Sequence, residues 1–288
     1  RTVISLEKDR QGNIWAGTSN STRSGGAFGA GGLSRLHNET WTTFKTSDGL
    51  IQSMVLAISQ DSRDRIWVGT SGGVSRLDDQ QWTMITPANG LAHNVVHAIY
   101  EDHTGVIWFG TEQGVSRYDG YTWRTYTSAD GLGSDNVYAI TGDKAGDVWF
   151  GTANGASRFD GRNFVTFRQT IGDSVRAFLE SSNGDMWCAT HTGAKRYNGQ
   201  EWITFTTQDG LLSNNILSLF QDREGSLWFG TNKGASQYFG DQVTSFTDQA
   251  GLSSNVVLSV YEDSRQNIWF GTEHGLDVYD GHEITAVH

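Results

Sequence analysis

Asp102 to Gly120 reads "DHTGVIWFGTEQGVSRYDG", and Asp143 to Gly161 reads "DKAGDVWFGTANGASRFDG". Two near-copies set 41 residues apart mark a repeat array, and the period constrains the fold before any one segment is assigned. The tryptophan of this stretch recurs at Trp15, Trp67, Trp108, Trp149, Trp187, Trp228 and Trp269, which gives seven units. The steps between them are 52, 41, 41, 38, 41 and 41 residues. The long first step carries the insertion "SNSTRSGGAFGAGG" (Ser19 to Gly32). The short fourth step loses three residues where "RQTIGDSV" (Arg168 to Val175) replaces a longer link. Trp41, Trp82, Trp123 and Trp202 fall at a second equivalent place, which Phe164 holds in the fourth unit. All eleven tryptophans therefore belong to the repeat, which argues against a cofactor cage built from them.

Each unit reads as four strands. In the third they are "VVHAIYE" (Val95 to Glu101), "IWFGT" (Ile107 to Thr111), "GVSRYD" (Gly114 to Asp119) and "TWRTYT" (Thr122 to Thr127), here strands A to D. Alternation, β-branched and aromatic residues, and turn residues at each break support the assignment. Asp102 is placed to accept hydrogen bonds from turn amides, and Gly105 and Gly120 supply positive φ. A four-stranded unit of about 40 residues cannot bury both of its faces, and radial stacking solves that. The expected fold is all-β: one seven-bladed β-propeller domain over 1–288. Its four-stranded antiparallel blades fall near 2–46, 54–86, 95–127, 136–168, 174–206, 215–247 and 256–288.

Composition agrees. The 288 residues include 36 glycines and a single proline, with 36% hydrophobic and 18% charged residues, as short strands and tight turns require. A net charge of −11 disfavours general nucleic-acid binding, which needs clustered Lys and Arg, and it disfavours anionic membrane surfaces. No apolar run approaches the roughly 18 residues of a membrane span. The first residues, "RTVISLEKD", alternate like a strand rather than a signal peptide. A start at Arg1 without Met suggests an excised domain or a mature fragment. Cys188 is the sole cysteine, so it forms no internal disulfide, and its strand-B position suits a small buried apolar residue.

Antiparallel strands place the B–C and D–A links at one end of a blade and the short A–B and C–D turns at the other. Function concentrates on long loops held by a rigid scaffold, so the site is expected at the end bearing the D–A links, at the mouth of the central channel. One column there is Ser53, Asn94, Asp135, Asp173, Asn214 and Asn255, each a candidate ligand contact or a cap for turn amides. A second column, three residues further on, is Leu56, His97, Tyr138, Arg176, Leu217 and Leu258, with Ile4 in the first unit. Its chemistry varies most, whereas the next column is uniformly Ser or Ala. His97, Tyr138 and Arg176 fall in consecutive units and are either pocket lining or blade-specific packing with polar tips. The B–C links add Glu112, Gln113, Asn154, His191, Asn232, Lys233, Glu273 and His274. Arg23 and Phe28, in the glycine-rich insertion, belong to a lid over the mouth or to a tolerated surface excursion. Arg35, Arg76, Arg117, Arg158 and Arg196 recur on strand C, and a structural bond to an adjacent blade is expected for them.

No G-x-S-x-G, H-E-x-x-H, phosphate-binding loop or C-x-x-C occurs, the eight histidines are scattered, and no cofactor is expected. The pattern D-x-x-G-x-[IVL]-W-F-G-T-x-x-G-[VAL]-S-R-[YF]-D-G, followed by W-x-x-[FY]-T-x-x-D-G-L, resembles the two-component regulator propeller repeat across essentially the whole chain. "WCATHTGAKRYNG" in unit five and "GASQYFGDQVTSFT" in unit six depart from it. The resemblance implies a periplasmic or extracellular sensor region of a hybrid histidine kinase that binds a small-molecule or oligosaccharide ligand. It also implies a protein partner or a kinase module in the same longer chain. Two other readings stand beside it. One is a protein-interaction scaffold. The other rests on "WFGTEHG" (Trp269 to Gly275), which is loosely similar to the repeats of streptogramin lyases, seven-bladed metal-dependent enzymes, and puts Glu273 and His274 forward as metal ligands. "GTEQG" at Gly110 to Gly114 shows that glutamate is common to this position.

Overall fold

The computed structural model describes residues 2–19, 31–240 and 242–287. The insertion residues Arg23 and Phe28 lie outside them. The described strands form seven four-stranded antiparallel sheets, each drawn from one continuous stretch in the order A-B-C-D, the blades of an all-β seven-bladed propeller. The sheets occupy 2–44, 55–85, 96–126, 137–166, 177–205, 216–246 and 257–287. Two compact units divide the chain. The first comprises residues up to 142 with 146–152 and 157–166, and the second comprises 143–145, 153–156 and everything from 167 onward.

Sheet three shows how the sequence makes a blade. Its strands are Val96–Glu101, Ile107–Thr111, Gly114–Tyr118 and Trp123–Tyr126. Strand C stops before Asp119 because that carboxylate accepts from the Tyr121 and Thr122 amides and turns the chain. The B–C turn is closed by Thr111, whose hydroxyl donates to the Gly114 carbonyl. At the A–B turn, Thr104 and Val106 N–H donate to Asp102 Oδ1, and Gly105 takes φ 82°. Two turns written without glycine hold the equivalent residues, Asp64 and Gln266, at φ 65° and 68°.

The same Asp has a second task. Asp102 Oδ2 accepts the indole N–H of Trp108, six residues on, at 2.7 Å. Asp9–Trp15, Asp61–Trp67, Asp222–Trp228 and Asp263–Trp269 repeat the bond at 2.7–3.0 Å. Trp15, Trp67, Trp108 and Trp228, exposed by 2% or less, thus keep their one donor satisfied, which a fully apolar pocket could not do. In sheet five Ser181 stands in the Asp position, and its hydroxyl donates within the turn to Asn183 and to the Asp185 carbonyl.

The core lies between neighbouring blades. Trp67, Val74, Leu91, Val96, Ile107 and Phe109 pack sheet two on sheet three. Trp108, Val115, Leu132, Val137 and Phe150 pack sheet three on sheet four, and Trp187, Leu211, Ile216 and Phe229 pack sheet five on sheet six. The glycine of "WFGT" is needed at this contact: a Cβ on Gly110 would sit 3.0 Å from a Val137 methyl. The third D–A link carries "T-x-x-D-G-L" as a turn of 3-10 helix in which Asp130 accepts from the Thr127 amide, Gly131 takes φ 108° and Leu132 is buried. The link is then anchored to strand C, because the Gly133 amide donates to Ser157 Oγ. Ser75, Ser116 and Ser236 accept in the same way, which explains the serine of "VSR".

The strand-C arginines bond within their own sheet rather than to an adjacent blade. Each lies directly across from the strand-B tryptophan, with its guanidinium 5.5–5.9 Å from the indole centre. Register explains the difference, since Trp108 and Arg117 are cross-strand partners and a cation over an indole face is favourable.

Candidate functional site

The variable column beside the D–A links has a structural identity. In six sheets the pairing of strands A and B slips by one residue near the start of strand A. The extra residue of that β-bulge is Ile4, Leu56, His97, Tyr138, Leu217 or Leu258. Arg176 holds the place in sheet five, immediately before strand Ala177–Glu180, where its amide donates to the Ala189 carbonyl. A bulge sets two residues of one strand against one of its neighbour, which re-aims a side chain without disturbing the rest of the sheet.

Two of these residues meet. The His97 and Tyr138 rings pack edge to face with centroids 5.4 Å apart, His97 from sheet three and Tyr138 from sheet four. Glu112, on the B–C turn of sheet three, reaches the same spot. Its carboxylate lies 3.6 Å from His97 Nε2 and 3.9 Å from His93 Nδ1. Glu112 is 43% exposed and His97 23%, so the cluster is open to solvent on the carboxylate side. His97 Nε2 itself is buried and makes no short hydrogen bond among the described residues, Glu112 lying just beyond that distance. Burial lowers the pKa of His97 from 6.5, opposed by Glu112 and reinforced by His93. The imidazole is therefore neutral at pH 7 and offers one donor and one acceptor. His93 Nδ1 accepts the Val95 amide, which fixes that ring.

The polar column of the links does different work. Asp135 Oδ1 accepts from the Ser128 amide, and Asn214 and Asn255 accept from the Thr207 and Asp248 amides. These side chains hold the link turns, while Asn94 is exposed at the matching place. Asp173 is buried in an ion pair with Lys195, at 3.0 Å, and accepts from Thr192 Oγ1. Lys195 replaces the strand-C serine and also donates to the Gln169 carbonyl, so the unit-five departure "GAKRY" and the shortened fourth link fit each other. Glu273 and His274 are exposed on the B–C turn of sheet seven. No cluster of three or more metal-ligating side chains occurs among the described residues. Cys188 is fully buried against Ala156 and Val175, and burial pushes its thiol pKa up.

The model of the two component regulator propeller matches residues 1–20, 38–72, 90–113, 131–154, 210–233 and 251–274, just over half of the sequence. The chain belongs to that family. No curated protein matches the propeller's sequence. Among solved structures, the propeller superposes on a domain described as the extracellular part of the hybrid two component system BT4673 of B. thetaiotaomicron. The TM-score is 0.76 at 19% identity, over 99% of this chain and 41% of that one. The propeller thus spans about two fifths of that domain's length. It is also similar to PorZ, a surface component of the type-IX secretion system of Porphyromonas gingivalis, with a TM-score of 0.71 at 16% identity over 96% of this chain and 46% of that one. Virginiamycin B lyase of Staphylococcus aureus gives a TM-score of 0.70 at 14% identity, over 98% of this chain and 94% of that one. At these identities the likeness is one of fold. Among the described residues no helix is long and apolar enough to cross a membrane.

Proposed function

We propose that this regulator-type propeller is a non-catalytic sensor domain that binds a small polyhydroxylated ligand, an oligosaccharide in the first instance, on the outer side of the cytoplasmic membrane. The observation that supports it is the meeting of His97, Tyr138 and Glu112 at the link end of sheets three and four. Two of the three stand on bulges that the fold does not need them to fill. A tyrosine ring offers a flat face to the C–H side of a sugar, and a carboxylate and a neutral imidazole serve its hydroxyls as acceptor and donor. The likeness to the BT4673 domain, described as extracellular and part of a two component system, supports a place outside the cytoplasm and a signalling module elsewhere in a longer chain. Arg176 occupies the equivalent position in the second unit and is a separate candidate contact.

The test is a thermal-shift screen against an oligosaccharide panel. A ligand at 100 times its dissociation constant stabilises by about 2.7 kcal/mol through mass action, which a melting curve resolves. Glu112→Gln and Tyr138→Ala should abolish the rise while leaving the unliganded circular-dichroism spectrum unchanged. A hit that shifts wild type and both variants equally places the ligand elsewhere. Absence of any sugar hit, with a protein partner retained on the same surface, would favour the scaffold reading instead.

A further inference from the structure

A cleft of about 430 Å³ opens at the opposite end from the cluster above, beside the short A–B and C–D turns of sheets three and four. Its walls are Trp108, Tyr126, Val148 and Phe159, and its rim carries His103, Arg117 and Arg124. In a chain of net charge −11, three basic side chains around one opening stand out.

The two arginines are the unusual feature. Arg117 and Arg124 are direct cross-strand partners on strands C and D. The same strand-C arginine faces Thr42, Thr83, Val165 and Ile203 in sheets one, two, four and five, all neutral. Like charges directly opposite each other on an antiparallel pair are destabilising. Among the described residues neither is neutralised by a strong ion pair: Arg117 lies 3.6 Å from Asp119, whose carboxylate is held by the Tyr121 and Thr122 amides and the Thr122 hydroxyl. Asp102, the one carboxylate lining the cleft, is held by Trp108, Thr104 and Val106. Both guanidiniums are steadied over rings, Arg117 over Trp108 at 5.9 Å and Arg124 over Tyr126 at 4.5 Å, so their donors are held at the rim.

Glycine keeps the opening clear. The fourth sheet brings Gly146 and Gly161 to the rim at φ 93° and 90°. A Cβ on Gly146 would lie 2.8 Å from the His103 ring, so the bare backbone is what seats that imidazole.

We infer that this cleft is an anion site, distinct from the His97–Tyr138–Glu112 cluster, which takes the oxyanion group of a small organic molecule between Arg117, Arg124 and His103 and its apolar body against Tyr126 and Phe159. The shared chemistry is a carboxylate or a phosphate on a flat apolar frame. Arg124 supplies the planar fork that such a group needs.

Titration calorimetry with benzoate and phenyl phosphate, at ionic strength matched with chloride, tests it. Benzamide serves as the uncharged body, and a saturable isotherm is expected for at least one of the two anions and none for benzamide. Arg124→Thr, which writes the residue of sheets one and two, should weaken that binding by about ten-fold or more. Arg265→Thr, an exposed arginine in the second unit, should leave it unchanged. Arg124 is exposed, so the variant should fold, and a melting curve checks this. Which anion binds more tightly separates a carboxylate from a phosphate ligand. No isotherm for either anion, or equal affinity in wild type and Arg124→Thr, would overturn the assignment.

Discussion

Replacing Asp61 by alanine probes the bond that ties an A–B turn to its tryptophan. Asp61 is 1% exposed and accepts four hydrogen bonds: from the Arg63 and Arg65 amides at 3.0 Å, the Arg65 guanidinium at 2.6 Å and the Trp67 indole at 2.7 Å. Trp67 is fully buried, so water cannot take over its N–H. A buried donor left without an acceptor costs about 1–3 kcal/mol, and each lost turn bond adds about 0.5–1.5 kcal/mol. The expected loss is about 4 kcal/mol, which for a domain of this size lowers the melting temperature by roughly 10 °C. Asp61→Asn keeps one acceptor and should lose about half as much. The indole share is isolated by repeating Asp61→Ala in a Trp67→Phe background, where the two changes should couple by about 1–3 kcal/mol. Chemical denaturation of the four proteins gives the cycle. Strict additivity, or a melting temperature for Asp61→Ala within a degree or two of wild type, would refute the argument that the carboxylate satisfies the buried indole.

Trp149→Ala, which empties one of the largest buried volumes, should cost about 3–5 kcal/mol in a denaturant titration. Gln266→Gly removes an L side chain from φ 68° and should raise stability by about 0.5–1 kcal/mol, read as a small upward shift of the melting temperature. Burial lowers His97 below its ordinary 6.5, so the unfolded chain binds the proton more readily than the folded one. Stability should therefore fall as pH drops below about 6.5, and His97→Gln should flatten that slope in melts taken from pH 7.5 to 5. Asp263 is held at about 2 by the Trp269 indole and the turn amides, so its contribution is present above the ordinary 3.8 and lost as pH falls through about 2. Asp263→Asn should shift the acid-unfolding midpoint accordingly.

The repeat, the four strands of each unit and the turn chemistry were legible because they rest on local rules: alternation, a fixed period, and Asp and Gly at breaks. Strand ends moved by a residue where a side chain such as Asp119 captured the turn amides. The bulge was not legible, because register is a relation between strands, although the variable Leu–His–Tyr–Arg column marked its place. The Asp–Trp bond has a signal in its constant spacing of six residues, with Ser181 as the exception, but the turn alone already accounts for the aspartate. The arginine column was recognised as structural but given the wrong neighbour, since cross-strand contact needs the B–C register. The pairing of Asp173 with Lys195 joins two departures from the repeat that are separated along the chain. The cleft at the turn end is not legible from loop length, because its determinant is one residue on strand D, Arg124 where other sheets carry Thr, Val or Ile.

The variable position near the start of strand A has an evolutionary corollary. Because the strand pairing tolerates Leu, Ile, His, Tyr or Arg there, a duplicated blade can inherit the whole scaffold and still change what it presents at one codon. Ile4, Leu56, His97, Tyr138, Arg176, Leu217 and Leu258 then form a keyboard whose keys are retuned one at a time while the instrument's frame stays fixed.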